Sequence, residues 1–222
     1  MIDPNTFRFL EKLQENNHKE WFQDNRKWYD ESRQNFIDFC AEALEDLKIF
    51  QNDLLQTDIK KCILRINRDI RFSKDKRPYK NYFGASFCPG GKSSGRVDFY
   101  FQIEPNGHSM LGGGMWDTGS DNLAQFRQEI DYNPQNLKGI IDNVAVRKYF
   151  NEIQGSRLKT KPKGYDIDHP EIELLRYKEL FFTRRFEEKV ICRKDFKNEL
   201  VEGCRILKPY QDYLNELFHS EN

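Results

Sequence analysis

Residues 60–80, KKCILRINRDIRFSKDKRPYK, hold nine Lys or Arg and two acids. That is a local excess of about +7 in a chain whose 36 basic and 36 acidic residues cancel. Concentrated positive charge beside aromatic rings suits an anionic ligand: a phosphate ester, a nucleotide or a nucleic-acid backbone. If residues 62–72 are extended, a period of two puts Arg65, Asn67, Asp69 and Arg71 on one side. Cys62, Leu64, Ile66, Arg68, Ile70 and Phe72 then lie on the other. Guanidinium forks from Arg65, Arg68 and Arg71 can grip a phosphate or carboxylate bidentately. Asp69 would orient them or accept a proton from the ligand, the one catalytic role the segment offers. Lys76, Tyr79 and Lys80 would close the shell. The competing reading is structural: the same arginines meet acidic helices between residues 11 and 46 in an ion-pair lattice.

Two further clusters could join that shell. Gly112-Gly113-Gly114-Met115-Trp116 can bring backbone amides near an anion at Gly113, with Trp116 as a platform for a base or sugar. It can equally mark a bulge or bend ending a strand. Lys159, Lys161 and Lys163 lie on a polar stretch that is either a lid over an anion or a solvated connector.

Other resemblances to known chemistry fail on spacing. Gly90-Gly91-Lys92-Ser93 lacks the earlier glycine of a phosphate-binding loop, since Ser86 stands there, and a strand rather than a helix follows. His169-Pro170-Glu171 with His219 mimics a two-His-one-carboxylate iron site, but Pro170 fixes the backbone and His219 is almost terminal. Asp168 or His169 as a helix cap is the ordinary role. There is no CxxC or HxxxH pair to hold zinc, and no nucleophile elbow. No metal and no cofactor is called for.

The elements that must position these groups follow from periodicity. Residues 5–50 read as a short and a long helix with an acidic face, broken at Asn16-Asn17. Alternation places strands near 62–72, 83–87, 97–103 and from 108 onward. Pro105-Asn106-Gly107 is a tight turn, and hairpin-length links make the middle a mainly antiparallel meander. Helical periods return near 121–130, 134–142 and 144–153. A surface loop over 155–170, a brief helix at 171–177, a strand at 180–184 and amphipathic helices from 194 to 218 close the chain. The fold class is α+β: N-terminal helices, a central sheet and C-terminal helices packed on it, as one domain over 1–222.

Eighteen Phe and ten Tyr predict a core built from rings. The amphipathic start MIDPNTFRFLEKL excludes a standard secretory signal and a membrane span. Five scattered cysteines fit reduced thiols and a cytoplasmic setting.

The run Arg65-x-x-Arg68-Asp69-x-Arg71-Phe72-x-x-Asp75-Lys76-x-x-Tyr79 resembles the signature of domain of unknown function 2461, a bacterial and fungal family. Asn16-Asn17-x-x-x-Trp21-Phe22, Gly112 to Trp116, Lys161-Pro162-Lys163-Gly164-Tyr165-x-x-Asp168-His169-Pro170 and Leu174-Leu175-x-x-Lys178 agree with it. The resemblance covers most of the chain and implies one domain, but no activity. The residues themselves favour a binding or catalytic domain for a phosphorylated small molecule or nucleotide. The alternatives are a nucleic-acid-binding module stacking bases on Phe72, Tyr79, Tyr82 and Trp116, or an interaction protein whose Arg motif is internal wiring. Whether it is an enzyme, and its oligomeric state, stay open.

Overall fold

Residues 1–219 are described by the computed structural model. Among them are ten α-helices and a four-stranded antiparallel sheet, with helices before and after the strands. The strands are β1 (Phe83–Phe87), β2 (Phe99–Ile103), β3 (Ser109–Met115) and β4 (Leu180–Phe186), in the order β1-β2-β3-β4. Sequence neighbours pair throughout, as in a meander, although three longer helices separate β3 from β4. The chain divides into two compact units.

The first unit comprises residues 1–95, 100–111 and 185–205. It opens with α1 (Pro4–Glu15), α2 (Lys19–Asp24) and α3 (Arg26–Lys48). Three helices thus stand where the sequence suggested two. Asn25 interrupts the second, lying outside helical geometry and donating from its side chain to Trp21 O at 2.9 Å. At the start of α1, Asp3 accepts from the Asn5 N–H at 2.7 Å and Pro4 takes the first turn, where its missing N–H costs nothing. The core is a chain of rings, as the composition predicted. Phe9 stacks on Phe83, Phe36 on Phe101 and Phe39 on Phe196, with centroids 5.9–6.2 Å apart. Phe196 opens α10 (Phe196–His219), whose first part thereby packs on β2.

Strand geometry over 62–72 is only partly realised. Ile59–Cys62 is a helical turn, α4, capped by Asp58. Beyond it the chain extends and pairs with 78–85 through two isolated bridges, Ile63 with Ala85 and Asn67 with Tyr79. The Leu64 N–H donates to Gly84 O, while the Lys80 N–H donates to Ile66 O. The register slips between them, so no continuous ladder forms. Alternation survives locally: Arg65, Asn67, Asp69 and Arg71 are exposed, whereas Ile66 is buried. Phe72 breaks the expected pattern and stands 95% exposed.

The second unit comprises residues 96–99, 112–184 and 206–222. It contains α5 (Gly119–Tyr132), α6 (Pro134–Ile141), α7 (Val144–Phe150) and α8 (Ile172–Leu175). Phe150, Phe182 and Tyr210 pack in sequence in its core, and the Tyr210 hydroxyl donates to Leu180 O at 2.9 Å. The later part of α10 grips residue 97: Asn215 accepts from the Val97 N–H, and both Asn215 and Gln211 donate to Val97 O. Residues 155–170 form no helix or strand, in keeping with a loop.

Candidate functional site

In the first unit, α2, α3 and the extended segment after α4 enclose a cleft of about 290 Å³. Helix α3 presents Arg26, Tyr29, Asp30 and Arg33, spaced i, i+3, i+4, i+7 and so on one face. The extended segment adds Arg65 and Asn67, spaced i, i+2 on one side, with Ile66 between them. Phe22 of α2 and the buried Tyr29 supply aromatic surface.

Three guanidiniums face this space with one carboxylate. Asp30 is engaged by Arg26, whose Nε donates to both carboxylate oxygens at 3.0 Å and whose guanidinium lies 5.2 Å from the Tyr29 ring centre. The hydrogen bond to Asp30 raises the Arg26 pKa. Arg33 and Arg65 make no ion pair or hydrogen bond with any other described residue, and neither does the Asn67 side-chain amide. Burial pushes the Tyr29 hydroxyl up, against the pull of Arg33 and Arg26. Lys80 feels Arg65 as well: partial burial, then that neighbouring cation, lower its pKa. Arg65 also adds to the pull of Arg71 on the Asp69 carboxyl.

The remaining arginines of the motif are already occupied. The Arg71 Nε and a terminal nitrogen donate to Asp69 Oδ1 and Oδ2 at 3.0 and 2.7 Å, and the Arg71 N–H also donates to Oδ1. Asp75 receives Arg77 in the same manner, at 2.7 to 3.1 Å, and Arg68 at 2.8 Å. Each acid therefore clamps the arginine two residues on through backbone and side chain together. Arg71 holds the Asp69 carboxyl below the usual carboxylate range, and Arg77, assisted by Arg68, holds Asp75 well below it. Arg68 also donates to Arg77 O and Lys76 to Ile70 O, closing the loop at 69–77 upon itself. These pairs run inside the loop, not to the acidic helices of the expected lattice.

This basic hairpin is fixed to α2 and to the turn before it. Asn17 donates to Tyr79 O and accepts from the Tyr79 N–H, both at 3.0 Å. Phe22 stacks on Tyr79 with centroids 4.0 Å apart and planes 16° from parallel. Tyr79 is therefore a mounting point beside the cleft. Lys80 sits 5.3 Å from the Tyr82 ring centre.

Gly113, Trp116 and Lys163 belong to the second unit. Its glycines serve close packing. A Cβ on Gly114, which has φ +134°, would lie 2.7 Å from Leu180 O and 2.9 Å from the Tyr210 ring. One on Gly113 would lie 3.1 Å from Asp98 O. Trp116 rests on Phe181, centroids 4.5 Å apart, and is 65% exposed. Lys163 is exposed on its loop. His169 Nδ1 accepts from the Glu171 N–H while Nε2 meets Asp131, both at 3.0 Å, so both ring nitrogens are engaged. Glu171 pairs with Lys138 at 2.5 Å. Among the described residues no group of three or more His, Cys, Asp or Glu converges to hold a metal ion, and no helix is long and apolar enough to cross a membrane. The Gly91 turn packs against Lys61, where a Cβ would come within 2.6 Å of its carbonyl oxygen, and no helix follows.

Sequence reasoning found Arg65 and Asn67 but missed Arg26, Arg33 and Asp30 as one face. The signal was present: i, i+3, i+4, i+7 spacing brings two arginines beside a tyrosine. It was masked by Glu20, Asp24 and Glu31, which make the segment look acidic when charges are summed along the chain rather than around the helix.

Neither a curated protein nor a solved structure matches the chain. The model of the conserved hypothetical proteins DUF2461 matches residues 5–213, which includes both the cleft and the hairpin docked beside it, and the chain belongs to that family.

Proposed function

We propose that the chain binds a phosphorylated small molecule or nucleotide in the first-unit cleft, with Arg33, Arg65 and Asn67 taking the phosphate. The observation that carries this reading is the pair of arginines that line one space with no direct ion pair, while Asp69, the carboxylate that Arg65 acts on, is itself clamped by Arg71. Like charges held together beside aromatic surface repel one another, and an anion bound between them relieves that cost. Two guanidinium forks and an amide are suited to phosphate oxygens. Tyr29, Phe22 and the neighbouring Tyr79 offer aromatic surface to the organic part.

Arg68, Arg71 and Lys76 shape the hairpin in this reading, and Lys80 adds positive field beside Arg65. Asp69 orients Arg71. Its carboxyl, held below the usual range, is a poor proton acceptor at neutral pH, and Asp30 is committed to Arg26. The geometry therefore supports binding more directly than catalysis.

One observation favours nucleic acid instead: the exposed Phe72 ring, with the Arg71 guanidinium 5.8 Å from its centre at the end of a basic loop. Such a ring could stack on an unpaired base. Thermal shifts against nucleotides, sugar phosphates, polyphosphate and short DNA and RNA, at low and physiological salt, separate the two. A ligand at about 100 times its Kd stabilises by about 2.7 kcal/mol, a rise of a few degrees. A rise with one small phosphate that persists in salt is expected. A rise confined to nucleic acid and lost in salt supports the Phe72 reading, and no rise with any compound contradicts both.

A further inference from the structure

We infer that the cleft selects a phosphate monoester in its dianionic form, over diesters and carboxylates, an inference that rests on the binding reading above. The argument is a charge balance over the lining residues. Arg26, Arg33 and Arg65 are cations and Asp30 is the one anion among them. Asp30 is already bound by Arg26 through both oxygens, and Asp69, whose carboxylate Arg65 acts on, is bound by Arg71 through both of its own, which leaves the two charges of Arg33 and Arg65. A ligand that neutralises both carries close to two negative charges. A phosphate monoester carries about −1.5 to −2 at pH 7, with a second pKa near 6. A diester or a carboxylate carries one, leaving one guanidinium uncompensated.

The polar inventory agrees. A monoester presents three non-bridging oxygens. Arg33 and Arg65 offer two forks, and the Asn67 amide, without a partner among the described residues, offers one more donor. A diester has only two such oxygens and a second substituent to house. At about 290 Å³ the space lies at the lower edge of ordinary ligand pockets, about 300–1,000 Å³. It fits a compact phosphorylated ring better than a polymer. The same balance turns the cleft away from a nucleic-acid backbone, whose internal phosphates are diesters.

Calorimetric titration of the full chain with phenyl phosphate, methyl phenyl phosphate and benzoate, at pH 7.5 and pH 5.0, tests this. Phenyl phosphate should bind about tenfold or more tightly than the other two at pH 7.5, from one additional charge-assisted hydrogen-bonded contact. The advantage should shrink severalfold at pH 5.0, where about nine-tenths of the monoester has lost its second charge. Arg33→Gln and Arg65→Gln should each reduce the preference to near unity. Equal affinity for monoester and diester in the wild type, with binding lost in Arg65→Gln, would overturn the selectivity and leave the anion cleft standing. Absence of binding by all three compounds would overturn both. The wild-type comparison among ligands requires no variant to fold.

Discussion

The cleft and the basic hairpin beside it are both rich in arginine, yet their electrostatics are opposite. In the loop at 69–77, Asp69 and Asp75 each clamp the arginine two positions on, and Arg68 shares Asp75. In the cleft, Asp30 serves Arg26 and leaves Arg33 and Arg65 without a direct ion pair, Arg65 acting on Asp69 only through its longer-range field. The difference teaches that charge density along a chain does not locate an anion site. What matters is charge that the fold leaves unspent. Within the +7 segment, Arg68, Arg71 and Arg77 share its two acids, and the remaining cations are spread along its length. The residual pair arises only when one of its arginines is placed opposite a helix that reads as acidic.

The largest expected effect removes the part common to both regions. Phe22 is 5% exposed, stacks on Tyr79 and packs against Tyr29. Phe22→Ala should cost about 3–5 kcal/mol of stability in urea unfolding. A cost below about 1 kcal/mol would mean that the hairpin is not held by that stack. Next in size is the separation between the regions themselves. Arg33→Gln and Arg65→Gln should each weaken phenyl phosphate binding by about 1.5–3 kcal/mol, the range for hydrogen bonds to charged groups. Their melting temperatures should not fall, because neither substitution breaks a direct ion pair or hydrogen bond. Arg71→Gln should change affinity less than about twofold. Equal losses in all three variants would erase the distinction.

The smallest effect is an acid-limb slope. The folded-state pKa values of Asp75 and Asp69 are depressed, so their contribution to stability is complete above the ordinary Asp value near 3.9 and fades as pH falls through the folded values. Asp75→Asn should flatten the decline in melting temperature below about pH 4, by a small amount because the group is solvent-screened. An unchanged slope would show that the pair adds nothing to the fold.

Much of the architecture was legible because it rests on periodicity. The alternation at 97–103 and the Pro105-Asn106-Gly107 turn became β2, which starts two residues later, a turn and β3. The helical periods between 121 and 153 became α5, α6 and α7 with slightly shifted ends. The helix break at Asn25 was hidden, since it depends on a side chain bonding back to Trp21 O rather than on a Gly or Pro. Residues 62–72 read as a strand because alternation fixes which side chains share a side, but not whether the partner keeps register. The site was half legible. Arg65 and Asn67 share a strand-like period, so they could be found together. Arg33 lies 32 positions earlier, and only the fold brings it opposite them. The pairing of Arg71 with Asp69 and of Arg77 with Asp75 could also have been read, since Asp-x-Arg occurs twice within residues 69–77 and the acid can bond the nearby backbone.

The central claim is that Arg33 and Arg65, not the clamped arginines of the hairpin, hold the anion. The most direct test is to follow the arginine Nε–Hε signals by ¹H–¹⁵N NMR while phenyl phosphate is titrated into the wild-type protein. The Arg33 and Arg65 signals should shift together along one saturating curve while those of Arg71 and Arg77 stay in place. Saturating shifts at Arg71 and Arg77, with Arg33 and Arg65 unmoved, would contradict the account.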